Sequence, residues 1–243
     1  MLTGMELSIV IPAYNEAERL PLTLAAWQAF MDTFVGQAEV VVSDDGSTDA
    51  TAAVVEALAA TDPRIRLHQA AKNQGKGGAV RDGMLAARGA YRFYVDADLN
   101  IAPDNVPPAL ALLRGNTDLV VGKRALSEYA GEEKSIARVA AGLAVQITRR
   151  LTVLPTIVDT QAGFKGFRAD LAERVFGAAT VRGFAFDIEA IFLAKRFGAR
   201  IVELPVSVTF RAGSSYNLRR HLPRFLGDIV TIRPNALRGR YPK

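Results

Sequence analysis

The sequence contains no cysteine, and only 2 of its 243 residues are histidine. The absence of cysteine excludes disulfide bonds, thiolate catalysis and cysteine-ligated zinc, and two histidines are too few for a histidine-rich metal centre. No stretch approaches the ~18 uninterrupted apolar residues of a membrane span, and no basic segment followed by an apolar run starts the sequence. We therefore predict neither a membrane-spanning helix nor a signal peptide, and expect a cytoplasmic protein.

The composition is otherwise that of an ordinary globular protein, with 49% hydrophobic and 23% charged residues. Its net charge of +5 is unevenly divided along the chain. Residues 1–122 hold 9 Lys and Arg against 15 Asp and Glu, whereas residues 123–243 hold 21 against 10. The basic second half suggests a partner that carries phosphates, an anionic membrane surface or nucleic acid, with a solvated basic surface as the alternative.

Short apolar, β-branched runs alternate with amphipathic stretches in the first half, which predicts strands alternating with helices. The predicted strands are Leu7–Ile11, Glu39–Ser43, Arg64–Gln69, Tyr91–Asp96 and Leu119–Val121. The predicted helices are 17–30, 50–60 and 79–87. This alternation indicates a parallel sheet with helices on both faces, which binds ligands at the carboxyl ends of its strands.

Polar side chains follow four of these strands at the carboxyl ends. They are, in chain order, Tyr14 and Glu16; Asp44 and Asp45; Lys76; and Asp96, Asp98 and Asn100. Because the carboxyl ends of parallel strands meet at one edge of the sheet, we expect these groups to line a cleft for a charged, metal-bound ligand.

Asp96 and Asp98 stand two residues apart, so both side chains leave the same face if the fourth strand continues through them. Two carboxylates this close repel each other unless water or a cation lies between them, and Asn100 offers a further oxygen. Hard oxygen ligands favour Mg²⁺ or Mn²⁺. The alternative is an Asp-rich turn, since Asp and Asn favour turns through local hydrogen bonds.

The glycine-rich stretch Gly75–Gly78 matches neither the dinucleotide-binding fingerprint nor the phosphate loop of NTPases. Glycine and Lys76 at the start of a helix nevertheless favour an anion, with a flexible turn as the alternative.

Three features are predicted in the middle of the second half. Residues 135–154 form an amphipathic helix, which belongs either to the core or to a membrane surface. Residues 159–168 are Gly-spaced and predict a strand or a loop that lines a site. Phe186–Phe197 is a predicted helix with Asp187 near its start, where an acid also suits the helix dipole.

The last part of the chain combines an extended segment with a basic tail. Residues 200–208 are predicted to be extended, with an interruption at Pro205. Residues 211–243 contain eight Lys and Arg against one acid, with apolar residues at helical spacing. This pattern indicates an interfacial helix, whose length we expect Pro223 and Pro234 to limit.

Seven ordered motifs resemble families of known activity. Four of them resemble the inverting family-2 glycosyltransferases of the GT-A fold: Ser8–Glu16, Val42–Asp49, Asn73–Gly78 and Val95–Asp98. Three more resemble the dolichyl-phosphate glucose synthase branch, with the mannose synthases close to it: Asp159–Lys165, Phe186–Glu189 and Glu203–Val206. The resemblance covers roughly residues 6–233.

The resemblance implies an α/β protein of the GT-A fold, with a Rossmann-like, mostly parallel sheet flanked by helices and a basic C-terminal helical extension. It implies a single domain over residues 1–243. Within it, residues 1–122 would bind the nucleotide sugar, residues 123–210 would form the acceptor side, and residues 211–243 would form a basic amphipathic tail.

The resemblance also assigns site residues. The implied donor-binding residues are Pro12, Tyr14, Glu16, Asp44, Asp45, Lys76, Asp96 and Asp98. Asp98 and Asn100 would bind Mg²⁺ or Mn²⁺, so that Asp96-Ala97-Asp98 is an Asp-x-Asp motif. The implied acceptor- or phosphate-binding residues are Arg124, Arg138, Gln161 and Arg211. The expected catalytic residues are Asp98, Arg124 and Asp187.

The implied activity is metal-dependent, inverting transfer of a hexose to a polyprenyl or dolichyl phosphate, from UDP-glucose or alternatively GDP-mannose. A lipid phosphate, with a second pKa near ~6, is already an anion and needs no base. A soluble hydroxyl acceptor would need a general base, for which Asp187 is the candidate. Such an enzyme would bind peripherally to the anionic inner face of the membrane, and nucleic acid is not an expected partner. A remote alternative is a non-catalytic protein that binds anionic surfaces or nucleic acid.

Overall fold

A computed structural model of the chain describes residues 4–124, 160, 162–208 and 218–242. Its seven strands are β1 (Leu7–Ala13), β2 (Ala38–Asp44), β3 (Ile65–Gln69), β4 (Tyr91–Val95), β5 (Leu119–Arg124), β6 (Phe164–Arg168) and β7 (Ile201–Val206). Its helices are α1 (Leu20–Thr33), α2 (Thr51–Thr61), α3 (Lys76–Ala86), α4 (Val106–Arg114), α5 (Ala169–Ala178), α6 (Phe186–Arg196) and α7 (Leu218–Leu237).

The strands form one sheet in the order β3-β2-β1-β4-β6-β5-β7. The pairs β1–β2, β2–β3, β1–β4 and β5–β7 are parallel, whereas β6 is antiparallel to both β4 and β5. Among the described strands, β6 therefore runs alone against the others. Its register places Lys165 opposite Tyr94 on β4. The sheet is thus mostly parallel, as the alternation of elements predicts.

Helices cover both faces of the sheet because successive side chains of a buried strand point to opposite sides. On one face, Val10 of β1 and Tyr94 of β4 pack with apolar residues of α3, α5, α6 and α7. On the other face, Ile9 of β1 and Phe93 of β4 pack with α1, α2 and α4. Two buried clusters result, and the loops at the carboxyl ends of the strands lie between them.

All five predicted strands of the first half are present, with bounds that differ by a few residues at most. The fourth strand ends earlier than predicted, which changes the placement of Asp96 and Asp98. β4 ends at Val95, and the chain turns through Asp98 to Leu99, which has a φ of +53°. Asp96 and Asp98 therefore lie in a turn and do not share a strand face.

The prolines of the second half do not interrupt the strand and the helix that contain them, although the sequence predicted that they would. β7 continues through Pro205, which is tolerated because β7 lies at the edge of the sheet. Helix α7 includes both Pro223 and Pro234, and the Pro234 carbonyl still accepts a hydrogen bond from the Arg238 N–H at 2.9 Å. Within the described ranges, no helix is both long and apolar enough to cross a bilayer.

Candidate active site

The loops after β1 and β2 hydrogen-bond to each other. Asn15, with a φ of +55°, donates its N–H to Ser47 Oγ (2.9 Å) and accepts a hydrogen bond from the Thr48 N–H at Oδ1 (2.8 Å). Asn tolerates this left-handed conformation better than most residues. The N–H of Glu16 donates to Thr51 Oγ1 at 2.9 Å. These bonds fix Glu16 beside the acidic turn that follows β2.

The three donor-side residues of the first strand and its loop are placed differently. Pro12 lies within β1, where it pairs with Ser43. Tyr14 is 45% exposed, so its ring is open to a ligand. Burial raises the pKa of the Glu16 carboxyl, and the Arg19 guanidinium at 3.1 Å offsets only part of this effect. The loop therefore offers an aromatic ring and a carboxylate at the same edge.

Asp44 is buried at the end of β2 and accepts three hydrogen bonds. Ser47 donates to Asp44 Oδ1 through both its N–H (3.1 Å) and its hydroxyl, and Gln69 Nε2 donates to Oδ2 at 3.0 Å. A carboxylate offers about four acceptor positions, so Asp44 keeps capacity for one further donor.

Asp45 ties the glycine loop to the end of β2. Its Oδ1 accepts a hydrogen bond from the N–H of Gln74 (2.7 Å), and its Oδ2 accepts one from the N–H of Gly75 (2.8 Å). Burial raises the pKa of Asp45, and these two donors offset only part of the shift. The Asp45 carboxylate thus organises the loop that carries Lys76.

The first turn of α3 is capped by a distant carbonyl. Gly75, with a φ of +98°, precedes the helix in a conformation that favours glycine. The N–H groups of Gly77 and Gly78 then donate to the Arg182 carbonyl at 2.9 and 3.3 Å. The sequence suggested this helix start as an anion site, but these two N–H groups already have an acceptor. What remains for an anion is the Lys76 side chain.

Lys76 reaches the turn after β4, where its Nζ lies 2.6 Å from Asp96 Oδ1. Burial raises the pKa of Asp96, but the nearby cations, Lys76 first among them, outweigh burial, so the net shift of this pKa is downward. Burial lowers the pKa of Lys76, but the nearby carboxylates, Asp96 first among them, outweigh burial, so the net shift of this pKa is upward. Both groups are therefore held in their charged forms.

Asp98 is the carboxylate of the turn that fits a cation best. Burial raises its pKa, and the hydrogen bond from the Asn100 N–H, at 3.0 Å from Oδ1, offsets only part of this rise. The Asn100 amide nitrogen donates to Asp98 Oδ2 at 2.6 Å, so the amide would have to turn to offer its oxygen to a shared ion. Where side chains are described, no group of three His, Cys, Asp or Glu could hold a metal. A divalent ion would thus take Asp98, Asn100 and ligands from the bound donor.

Asp96, Asp98 and Asn100 line an open cleft beside β5. Its lining residues are Asp96, Asp98, Asn100, Ile101, Arg124, Gly163 and Val208. Arg124, the last residue of β5, brings a guanidinium near Asp96, and Ile101 and Val208 add apolar side chains to the lining. The cleft therefore combines anionic and cationic groups, as a diphosphate with its counter-ion requires.

Asp187 lies in the first turn of α6, is almost completely buried, and is close enough to Lys76 to raise its pKa. Lys165 Nζ lies 2.7 Å from Asp187 Oδ1, and the Tyr94 hydroxyl donates to the same oxygen. The role of Asp187 as a general base stays a prediction. Sequence reasoning did not assign Lys165 a role in the site, because nothing in the local sequence shows that this lysine is buried.

Three of the acceptor-side predictions, Arg138, Gln161 and Arg211, lie outside the described residues, as does the predicted helix 135–154. Among the described site residues, the structure brings Asp96, Asp98, Asn100 and Arg124 to one cleft, and Lys76 contacts Asp96. Tyr14, Glu16 and Asp45 lie on the loops that follow β1 and β2, and Asp44 is the last residue of β2.

The fold matches that of solved glycosyltransferases. A structure of glucosyl-3-phosphoglycerate synthase from Mycobacterium tuberculosis with Mn²⁺, uridine diphosphate and phosphoglyceric acid aligns with a TM-score of 0.68 at 21% identity, over 98% of this chain and 80% of that one. Mannosyl-3-phosphoglycerate synthase from Rubrobacter xylanophilus aligns with a TM-score of 0.64 at 20% identity, over 98% of this chain and 76% of that one. The protein therefore has the GT-A fold.

The sequence model of glycosyl transferase family 2 matches residues 8–176. The chain belongs to this family and is a glycosyltransferase.

Among its relatives is the dolichyl-phosphate beta-glucosyltransferase of Dictyostelium discoideum, 32% identical over 96% of this chain and 75% of the relative. The Drosophila melanogaster enzyme of the same name is 34% identical over 87% of this chain and 69% of its own length. The undecaprenyl-phosphate mannosyltransferase of Micrococcus luteus is 30% identical over 85% of both chains.

Proposed function

We propose that this enzyme transfers glucose from UDP-glucose to a polyprenyl phosphate, with inversion at the sugar carbon and with Mg²⁺ or Mn²⁺ bound. The observation that carries the proposal is the similarity to two dolichyl-phosphate beta-glucosyltransferases over 96% and 87% of this chain. The cleft supports it, because cationic side chains and a metal-competent carboxylate meet beside β5.

The donor side would use the loops after β1, β2 and β4. Tyr14 and Asp44 would contact the nucleoside, and Lys76 would lie along the diphosphate beside Asp96. A divalent ion held by Asp98 and Asn100 would neutralise the charge that develops on the departing diphosphate. Asp98 suits this role because burial leaves its charged form short of stabilising partners.

The transfer step needs no proton to be removed from the acceptor. An oxygen of the lipid phosphate forms a bond to the sugar C1 while the bond from C1 to the diphosphate oxygen breaks, and the electron pair leaves with UDP. A phosphate monoester with a second pKa near ~6 is an anion at neutral pH, so positioning by a guanidinium is sufficient. Arg124 lines the cleft beside Asp98 and would hold this phosphate.

The acceptor would be reached from an anionic membrane surface. On α7, Phe225, Ile229 and Ile232 are buried, whereas Val230 and Leu237 are 47% and 83% exposed. Arg224, Arg233, Arg238 and Arg240 are also exposed at this end of the chain. Exposed apolar side chains among arginines are typical of a helix that lies on anionic lipid.

The test is an assay of the purified protein with radiolabelled UDP-glucose, Mg²⁺ and polyprenyl phosphate, in which the lipid-linked product is extracted into organic solvent. We expect glucosyl lipid, no product with dephosphorylated polyprenol, and loss of product with EDTA that Mg²⁺ or Mn²⁺ restores. Asp98→Asn should reduce the rate by roughly a hundredfold or more. Absence of product with UDP-glucose, while another nucleotide sugar or a hydroxyl acceptor reacts, would overturn the proposal.

A further inference from the structure

Lys165 on β6 carries an ammonium that is completely buried. Burying a charge is costly unless it is paired and hydrogen-bonded. Its Nζ lies 2.7 Å from Asp187 Oδ1 and donates to the Ala162 carbonyl at 2.7 Å. The Tyr94 hydroxyl donates to the same Asp187 oxygen, and Lys165 Nζ lies 5.2 Å from the centre of the Tyr94 ring. Lys165, Asp187 and Tyr94 form a buried charge cluster beside the turn at residues 162–163.

The buried charge cluster is linked to Asp96 through the backbone of residues 162–163. The Ala162 carbonyl accepts hydrogen bonds from Lys165 Nζ and from the Phe164 N–H at 2.8 Å. The next carbonyl, that of Gly163, accepts a hydrogen bond from the Asp96 N–H at 3.3 Å. A Cβ on Gly163 would overlap the Asp96 carboxylate. The position of this turn therefore limits where the Asp96 carboxylate can lie.

Stability alone does not account for the pair of Lys165 and Asp187. Replacing a buried ion pair by apolar residues of similar size is often neutral or stabilising, because desolvation costs as much as the attraction returns. A core made only of the surrounding phenylalanines would serve packing equally well. The pair does something that apolar packing cannot do, which is to hold a backbone carbonyl by a charged hydrogen bond.

We propose that Lys165 is a positioning residue that holds the 162–163 turn against Asp96 and thereby fixes the Asp96 carboxylate in the nucleotide-sugar site. Asp187 supplies the counter-charge that makes the buried ammonium tolerable, and the Tyr94 hydroxyl orients Asp187. The inference rests on the proposed function, in which Asp96 and Lys76 contact the donor.

The test compares nucleotide affinity with thermal stability. The double variant Lys165→Met with Asp187→Asn removes both charges together, so we expect a smaller loss of Tm than in Lys165→Met alone, where a buried carboxylate stays unpaired. UDP affinity in the presence of Mn²⁺, measured by calorimetry, should nevertheless fall roughly tenfold or more, since misplacing a binding group by about 1 Å has large effects. A purely structural role predicts that affinity recovers together with Tm.

Two further variants keep the test decisive. Tyr94→Phe removes only the hydroxyl and preserves packing, so it should fold and weaken UDP binding roughly threefold. Arg92→Met is the matched control. Arg92 lies on β4, as Tyr94 does, and is also a buried cation that donates to a backbone carbonyl, that of Met84 at 2.9 Å. It should lower Tm and leave UDP affinity unchanged. Wild-type UDP affinity in both the double variant and Tyr94→Phe would overturn the inference.

This inference and the proposed function fail in distinguishable ways. If the wild type binds UDP but does not glucosylate polyprenyl phosphate, the proposed acceptor is wrong, while a loss of UDP affinity in the double variant still supports the role of Lys165. If the wild type makes glucosyl lipid and the double variant binds UDP normally, the role of Lys165 is wrong and the proposed function stands.

Discussion

Lys76 Nζ and Asp96 Oδ1 lie 2.6 Å apart. Lys76 is the first residue of α3, and Asp96 lies in the turn after β4, the strand that follows α3 in the chain. The contact depends on Asp45, whose carboxylate holds the loop before α3 through the N–H groups of Gln74 and Gly75. The loops that follow β2, β3 and β4 are thereby linked by hydrogen bonds and one ion pair.

Replacing Lys76 by Met should raise the KM for UDP-glucose roughly tenfold or more, because the donor loses a cation and Asp96 loses its partner. The free energy of unfolding should fall by about 1–2 kcal/mol, as expected when a partly buried carboxylate loses a charged hydrogen bond. Initial rates and urea denaturation would measure the two effects. Lys195→Met, at an exposed position near the end of α6, should change neither. An unchanged KM in Lys76→Met would contradict a donor role.

Replacing Gly163 by Ala should reduce the transfer rate by roughly tenfold to a hundredfold, because the new Cβ overlaps the Asp96 carboxylate and must displace it. Gly177→Ala is the matched control, since a Cβ at Gly177 meets no atom within 4 Å. Gly177 lies in α5, where alanine favours the helix by about 0.5–1 kcal/mol. Gly163→Ala should therefore lower the transfer rate, whereas Gly177→Ala should leave the rate unchanged and raise the melting temperature slightly. Equal rates in the two variants would contradict the steric argument.

Replacing Tyr241 by Phe should destabilise the protein by about 1–2 kcal/mol, because its hydroxyl donates to the buried Glu189 at 2.7 Å. Burial and the Glu189 carboxylate raise the pKa of Tyr241 to about 12. A raised pKa means that this stabilisation is complete below the unfolded value near 10 and is lost as the pH rises toward 12. The difference in Tm between wild type and variant should therefore shrink between pH 10 and 12, and a constant difference would contradict this assignment.

Reversing two charges, with Arg233→Glu on α7 and Arg238→Glu directly after it, should weaken binding to vesicles that contain phosphatidylserine, by about 1 kcal/mol or more for each arginine. Sedimentation with vesicles at low and high salt would measure it, because screening reduces the effect. The control is Lys195→Glu with Arg200→Glu, which changes the net charge equally at exposed positions outside α7. Equal losses in both pairs would indicate net charge as the cause and contradict a specific surface on α7.

Much of the first half of the chain could be predicted because its signals are local. Each strand of that half is a short apolar run bounded by polar turns, so periodicity places its limits within a few residues. The polar groups at the strand ends could be assigned to one edge because parallel strands share a direction. The exception is the turn after β4, where the chain leaves the strand at Val95, and the positive φ of Leu99 has no local signal in the sequence.

The relation of Lys165 to Asp187 could not be predicted, because it depends on a non-local strand pairing. A lysine in a strand is expected to face solvent, and only the insertion of β6 between β4 and β5 buries it. For the same reason, the capping of α3 by the Arg182 carbonyl joins segments that are distant in the sequence. Hydrophobic periodicity reports burial of a face and does not report which partner covers it.

The place of β6 in the sheet also bears on how the enzyme is made and how it can be altered. β6 follows β5 in the chain but lies between β4 and β5, so a translation product that stops at residue 122 would lack β6 and β7 and would leave β4 open on one side and β5 open on both sides. Open, apolar edges are templates for aggregation. Residues 1–122 and the chain after them are therefore not expected to fold as separate modules, and substitutions that alter the enzyme have to be made inside the intact sheet.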